Sequence, residues 1–140
     1  MKIVINNCFG GFTLSPKAES EYAKLAGFEI HRYVQTKYKH RDGHDLYEKT
    51  DSLNNSNLTY TFKKDCGPSF TDFPEDGGYW YSSNVERDDP LLIQVVEKLG
   101  KEASGLCAKL KIVEIPDGVD WEIDEYDGNE HVAECHRTWY

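Results

Sequence analysis

The stretch that decides the fold is residues 111–139, KIVEIPDGVDWEIDEYDGNEHVAECHRTW. Lys111 to Ile115 is a short β-rich run, and Pro116-Asp117-Gly118 reads as a turn. Asp127-Gly128 is a strong two-residue hairpin signal, because both turn positions need positive φ. With Asp127-Gly128 as the turn, Tyr126 pairs with Asn129, Asp124 with His131, Ile123 with Val132, Glu122 with Ala133 and Trp121 with Glu134. One face then carries Trp121, Ile123, Val132, Glu134 and His136, and the other Glu122, Asp124, His131, Ala133, Cys135 and Arg137. A slip of one residue would exchange these faces. From Ile112 to Glu134 the stretch holds nine acids (Glu114, Asp117, Asp120, Glu122, Asp124, Glu125, Asp127, Glu130 and Glu134) and no Lys or Arg. It then closes on His136, Arg137 and Trp139.

The rest of the chain supplies partners for this unit. Lys2 to Phe9 is apolar on both faces at its start and reads as a central strand, with Lys111–Ile115 beside it. Gly10-Gly11 ends it. Ser15-Pro16 begins a helix, with Ser15 as N-cap, Pro16 at the first helical position and Gly27 as the stop. Phe28 to Val34 reads as a second strand. Asp88-Asp89-Pro90 opens a second helix whose Leu91, Leu92, Val95, Val96 and Leu99 recur at helical spacing. Lys101 to Leu110 continues the helical pattern, so one helix is expected to bend or break between Gly100 and Gly105. Residues 35–76 are a loop-rich insertion and the partner-facing candidate. A stretch of that length without structure is unusual in a compact domain, so at least one hairpin or a mobile insertion is expected there, with Leu58–Phe62 alternating like a strand. The order predicts a single α+β (α/β-like) domain over 1–140, with a mixed sheet, two helices and the acidic C-terminal hairpin.

Length and composition set the bounds. The chain has 140 residues, enough for one domain with a real core, and its aromatics (nine Tyr, six Phe, three Trp) argue against general disorder. The formal charge is −9. Residues 1–70 carry ten Lys/Arg against eight Asp/Glu, and residues 71–140 carry six against seventeen. That balance disfavours direct nucleic-acid binding, which needs a cationic face. An acidic face can instead steer toward a basic partner or compete with nucleic acid for a basic groove. The plain alternative is that the acids keep the protein soluble. No apolar run is long enough to span a membrane, and the N-terminus lacks a signal-peptide pattern. Cys8, Cys66, Cys107 and Cys135 show no paired spacing, which suits a cytoplasmic protein with reduced thiols. The sequons at Asn54 and Asn57 have no role in that setting.

The segments MKIVINNCFGGFTLS (1–15), RDDPLLIQVVEKLG (87–100), KIVEIPDGVDWEIDEYDG (111–128) and VAECHRTW (132–139) resemble a family of small proteins encoded in bacteriophages and prophages. The resemblance covers residues 1–27 and 86–139 and leaves 28–85 unmatched. It implies a phage accessory protein acting in the cytosol of a bacterial host, against a host defence. It brings no catalytic residues.

Several constellations bear on chemistry. Gly10-Gly11 between a strand and a helix could admit a phosphate, yet it matches no nucleotide-binding motif, and a double glycine is more often a plain turn. His131, Cys135 and His136, with Cys8 and Asp124 as neighbours, lack zinc spacing, so no metal or cofactor is expected. Cys8 with His136 is a conceivable nucleophile and base, but a buried cysteine is more often a small hydrophobe. The paired carboxylates read as a solvated face. Arg137 and Trp139, joined by Arg87 and Trp80 of the Tyr79-Trp80-Tyr81 run, admit two readings. Either Arg137 neutralises acids and Trp139 packs on the core, or arginine and aromatic hold a phosphate and stack a base.

Three functions follow, in order. The first is a non-enzymatic inhibitor or binder that docks Glu122, Asp124 and their neighbours on the basic surface of a host defence factor. The second is a sponge for a nucleotide second messenger, using Arg87, Trp80, His136, Arg137 and Trp139. The third is a small hydrolase using His136 with Glu134 or Cys8. The sequence leaves homo-oligomerisation open.

Overall fold

The computed structural model describes residues 1–38, 43–53, 59–135 and 139. In chain order the elements are β1 (Lys2–Asn6), α1 (Pro16–Ala26), β2 (His31–Lys37), β3 (Leu46–Lys49), β4 (Thr59–Phe62), β5 (Ser69–Phe70), β6 (Tyr79–Trp80), α2 (Pro90–Leu99), β7 (Leu110–Glu114), β8 (Trp121–Tyr126) and β9 (Asn129–Glu134). Short 3-10 turns lie at Ser82–Asn84 and Gly100–Ala103. The α+β class, the two helices and the C-terminal hairpin are as expected.

Local chemistry sets both helices. Ser15 Oγ accepts from the Ala18 amide at 3.1 Å, and Gly27, at φ 86°, donates its amide to Ala23. Asp89 caps α2 by accepting from the Leu91 amide at 2.8 Å, with Pro90 next. The helical pattern of 101–110 is not realised. Gly100 turns at φ 57°, and Ala103 and Gly105 then bond to the 13–15 backbone. The Ser15 amide donates to Ala103 and the Gly105 amide to Thr13, both at 2.9 Å. A Cβ on Gly105 would fall 2.4 Å from Thr13 Oγ1, so the close pairing requires glycine there.

The strands divide among three antiparallel sheets rather than one mixed sheet: β1–β7, β8–β9, and a five-stranded sheet in the order β5-β3-β2-β4-β6. The mixed arrangement needed a parallel pair, which a long crossover would supply; here each described ladder joins strands in opposite sense. β1 ends at Asn6, short of Phe9, and pairs Lys2 with Glu114 through Asn6 with Leu110. Its ladder partner is β7 alone, yet its other edge is occupied. The Val4 amide donates to the Arg87 carbonyl at 2.9 Å, and the Asn6 amide to Glu130 Oε1 at 2.7 Å. β1 is therefore buried on both sides, as its apolar run implied, without being the middle of a regular sheet.

The stretch 35–76 is richer in structure than its composition suggests. It contains β3, β4 and β5 and the end of β2. These strands surround an aromatic core in which Tyr33 and Phe62 are fully buried and Tyr47 nearly so, packed with Tyr60, Cys66 and Phe70. The second core is mostly aliphatic: Val4, Leu14, Ala18, Leu92, Val95 and Val96 meet between α1, α2 and β1, with Trp80 at its edge. Trp80 stacks on Tyr22 at 6.0 Å and meets Phe28 edge-on at 5.7 Å.

The hairpin register is the one its Asp-Gly turn dictates, from Trp121 opposite Glu134 to Tyr126 opposite Asn129. Asp127 (φ 48°) and Gly128 (φ 83°) both occupy the positive-φ region, as a two-residue turn of this kind needs. The tip docks on the loop after β1, where the Gly10 amide donates to the Asp127 carbonyl at 3.1 Å.

Candidate functional site

Of the residues singled out from the sequence, Arg87 and Trp80 are engaged internally. Trp80 is 4 % exposed and belongs to the core. Arg87 lies over the Phe12 ring at 3.6 Å and forms a two-pronged pair with Glu130, Nη1 to Oε1 at 2.6 Å and Nη2 to Oε2 at 2.9 Å. Glu130 Oε1 also accepts the Asn6 amide. Asn6 completes the knot: its Nδ2 donates to the carbonyls of Cys8 and Gly128, each at 2.7 Å, and its Oδ1 accepts the Lys109 amide at 2.8 Å. Every atom of this cluster serves to hold β1, the loop before α2 and the hairpin together. Planar guanidinium and carboxylate match in geometry, and this match favours Arg over Lys.

Glu130 is the residue that the sequence reading passed over. Directly paired residues share a face, so Glu125 and Glu130 lie on the same side as Trp121, Ile123 and Val132. Parity alone therefore placed one acid on the inward face. Its burial required an arginine that the hairpin itself does not contain.

The other acids point away. Glu114, Asp117, Asp120, Glu122, Asp124, Glu125, Asp127 and Glu134 are all exposed, and of the nine only Glu130 is buried. Asp117 meets the N-terminal ammonium at 2.9 Å, and Asp124 lies 3.4 Å from His131. Among the described residues no Lys or Arg side chain pairs with Glu122, Asp124, Glu125, Asp127 or Glu134. Cys135 lies 3.9 Å from Glu122, and burial, with Asp120 and Glu122 nearby, pushes its thiol pKa up. That environment opposes a thiolate nucleophile. Trp139 is 79 % exposed. His136 and Arg137 lie outside the described residues, so the readings that involve them as ligand, base or neutralising group rest on sequence. No three His, Cys, Asp or Glu converge on a metal position among the described residues. No described helix is long and apolar enough to cross a membrane.

A second feature was only half visible in the sequence. A cleft of about 160 Å³ opens between the start of α1 and the β4–β6 side of the five-stranded sheet. Tyr60, Tyr79 and Tyr81 line it together with Thr13, Thr59 and Glu19. The Tyr79 ring lies 5.4 Å from Tyr81 and 6.4 Å from Tyr60. The Tyr79-Trp80-Tyr81 run was legible as a ligand-facing candidate; strand alternation sends Trp80 inward and its two neighbours out. Glu19 is a helix first-turn residue whose side chain is 13 % exposed and whose Oε1 accepts from Arg32 Nη1 at 2.9 Å. Burial raises its carboxyl pKa, and the Arg32 guanidinium opposes that rise. Arg32 itself is 6 % exposed and also donates to the Pro16 carbonyl at 2.6 Å and Ser20 Oγ at 2.8 Å.

Comparison with protein-family models, with curated proteins and with solved structures finds no match to this chain. The functional argument therefore rests on its own geometry.

Proposed function

We propose that this chain is a non-enzymatic binding protein that docks the acidic outer face of its β8–β9 hairpin on a basic surface of a partner protein. In the setting implied by its resemblance to phage-encoded proteins, it works in the cytosol of a bacterial host and the partner is a host defence factor. One observation carries the reading: eight of the nine acids between Ile112 and Glu134 are exposed, while the ninth, Glu130, is the one used to build the fold. Clustered surface charge of one sign steers a complementary partner and raises its association rate, and salt screens it. The fold leaves these carboxylates available and uses Arg87 elsewhere.

The test is interferometry of the intact chain against purified host defence and nucleic-acid-binding proteins with basic surfaces, over a salt series. A partner is expected whose affinity falls as salt rises and is lost in the triple variant Glu122→Gln, Asp124→Asn, Glu125→Gln. A partner held equally well by that variant would place the interface elsewhere and overturn the proposal.

A further inference from the structure

We infer that the cleft between the start of α1 and the β4–β6 side of the five-stranded sheet binds a flat heteroaromatic ring bearing adjacent N–H donors, the pattern that guanine presents.

The size of the cleft comes first. About 160 Å³ holds roughly five waters' worth of volume, which suits one ring system and falls short of the several hundred Å³ that a larger ligand takes. The chemistry of the walls comes second. Three tyrosines supply aromatic surface, and Tyr79 and Tyr81 are 44 % and 48 % exposed, a cost in exposed apolar area that a stacked ring would remove. They border one another at 5.4 Å, which leaves a continuous surface rather than a gap for a cation to enter. The polar group comes third. Glu19 Oε1 is held by Arg32, and Oε2 makes no hydrogen bond among the described residues. The carboxylate is thus anchored by one oxygen and retains acceptor capacity at the other. The Arg32 guanidinium already offsets its charge at 2.9 Å, so an electrically neutral donor suits the site better than an organic cation.

The lining also says what the cleft omits. It contains no Lys or Arg among its described residues. Arg32 lies behind Glu19 with its donors engaged. A phosphate would find no counter-charge here, so the ring, and not a phosphate tail, is what this site reads. A base can come from a free nucleoside or from a nucleic-acid strand. The −9 charge of the chain favours the free nucleoside. The cleft shares no residue with the hairpin's acidic face, so either site can fail without the other.

The experiment is a titration of the intact protein with guanosine, followed by amide chemical shifts. Shifts are expected around Thr13, Glu19, 59–61 and 79–82. Adenosine, which replaces the N1–H donor with an acceptor, is expected to bind about tenfold or more weakly, since a buried acceptor would face an acceptor. Tyr81→Ala is expected to weaken guanosine by about tenfold through lost stacking. Glu19→Gln should weaken it similarly; where that variant fails to fold for want of Arg32's partner, Tyr81→Ala and the adenosine arm decide. Guanosine monophosphate should bind no more tightly than guanosine, and a short guanine-containing single strand more weakly still. No shift with millimolar guanosine, or equal binding of adenosine, would overturn the inference. Tighter binding of the strand would overturn the free nucleoside as its source.

Discussion

Arg87–Glu130 and Arg32–Glu19 are the same chemical pair in two parts of the molecule. The first joins β9 to the loop before α2, and both guanidinium nitrogens meet both carboxylate oxygens. Glu130 takes a further hydrogen bond from the Asn6 amide, and the guanidinium is covered by Phe12. The second joins α1 to β2 through one oxygen of Glu19, while the carboxylate borders a cleft. A pair with every position filled has nothing left for a ligand, however buried and polar it is. A pair with one oxygen open can still do chemistry with something else. Burial and charge therefore do not mark a site by themselves; what marks it is the capacity left over after the fold is built.

The largest expected effect comes from breaking the closed pair. Arg87→Ala leaves Glu130 buried without its partner and should cost about 3–5 kcal/mol in urea denaturation. Amide exchange should accelerate first at Asn6 and around 127–128, which the pair and Asn6 tie together. Equal loss of protection across the whole chain, or a cost below about 1 kcal/mol, would show that the hairpin is held by apolar contacts instead.

A middle-sized effect tests how closely the hairpin tip docks beside that pair. A Cβ on Gly128 would fall 2.2 Å from the Gly11 amide nitrogen, at a φ of 83° that favours glycine. Gly128→Ala should therefore cost about 2 kcal/mol, combining backbone strain with displacement of the tip. Loss of the Gly10 amide protection in exchange measurements would locate the damage; an unchanged unfolding midpoint would refute the contact.

The smallest effect belongs to the open pair and is read by pH. Burial raises the Glu19 carboxyl pKa above its unfolded value, against the opposing pull of Arg32. The native state therefore holds that proton more tightly than the unfolded chain. The resulting stabilisation is fully present below the unfolded pKa and is lost as pH rises through the folded one. Relative to Glu19→Gln, the native sequence should gain stability as pH falls from neutral through this window. Carboxyl carbon titration by NMR gives the direct check, and a Glu19 that titrates at or below an ordinary glutamate would contradict it.

How much of this was legible depends on the range of each interaction. Both helix starts were, because Ser15 and Asp89 bond amides two or three residues away. So was the hairpin register, because one Asp-Gly turn sets every pair that follows. The aromatic sheet was not. Its strands are two to seven residues long, and Tyr33 and Phe62 reveal themselves as core only when β2 and β4 lie side by side. The false continuation of α2 has a related cause: Ala103, Cys107, Ala108 and Leu110 fit a helical stripe, but the 13–15 backbone claims that segment first.

The candidate site divides the same way. Tyr79 and Tyr81 could be suspected from the Tyr-Trp-Tyr run, yet nothing near them in the chain announces Glu19 or Tyr60. By itself the sequence determined the caps, the Asp-Gly turn, the two faces of the hairpin and the excess of acid upon it, because each depends on neighbours within a few residues. Which acid is buried, which arginine meets it across 43 residues, and which tyrosines share a cleft with Glu19 were decided by the tertiary structure alone. A charged group is buried only where a partner has been brought to it, and that partner is chosen when the chain collapses, not where it is written.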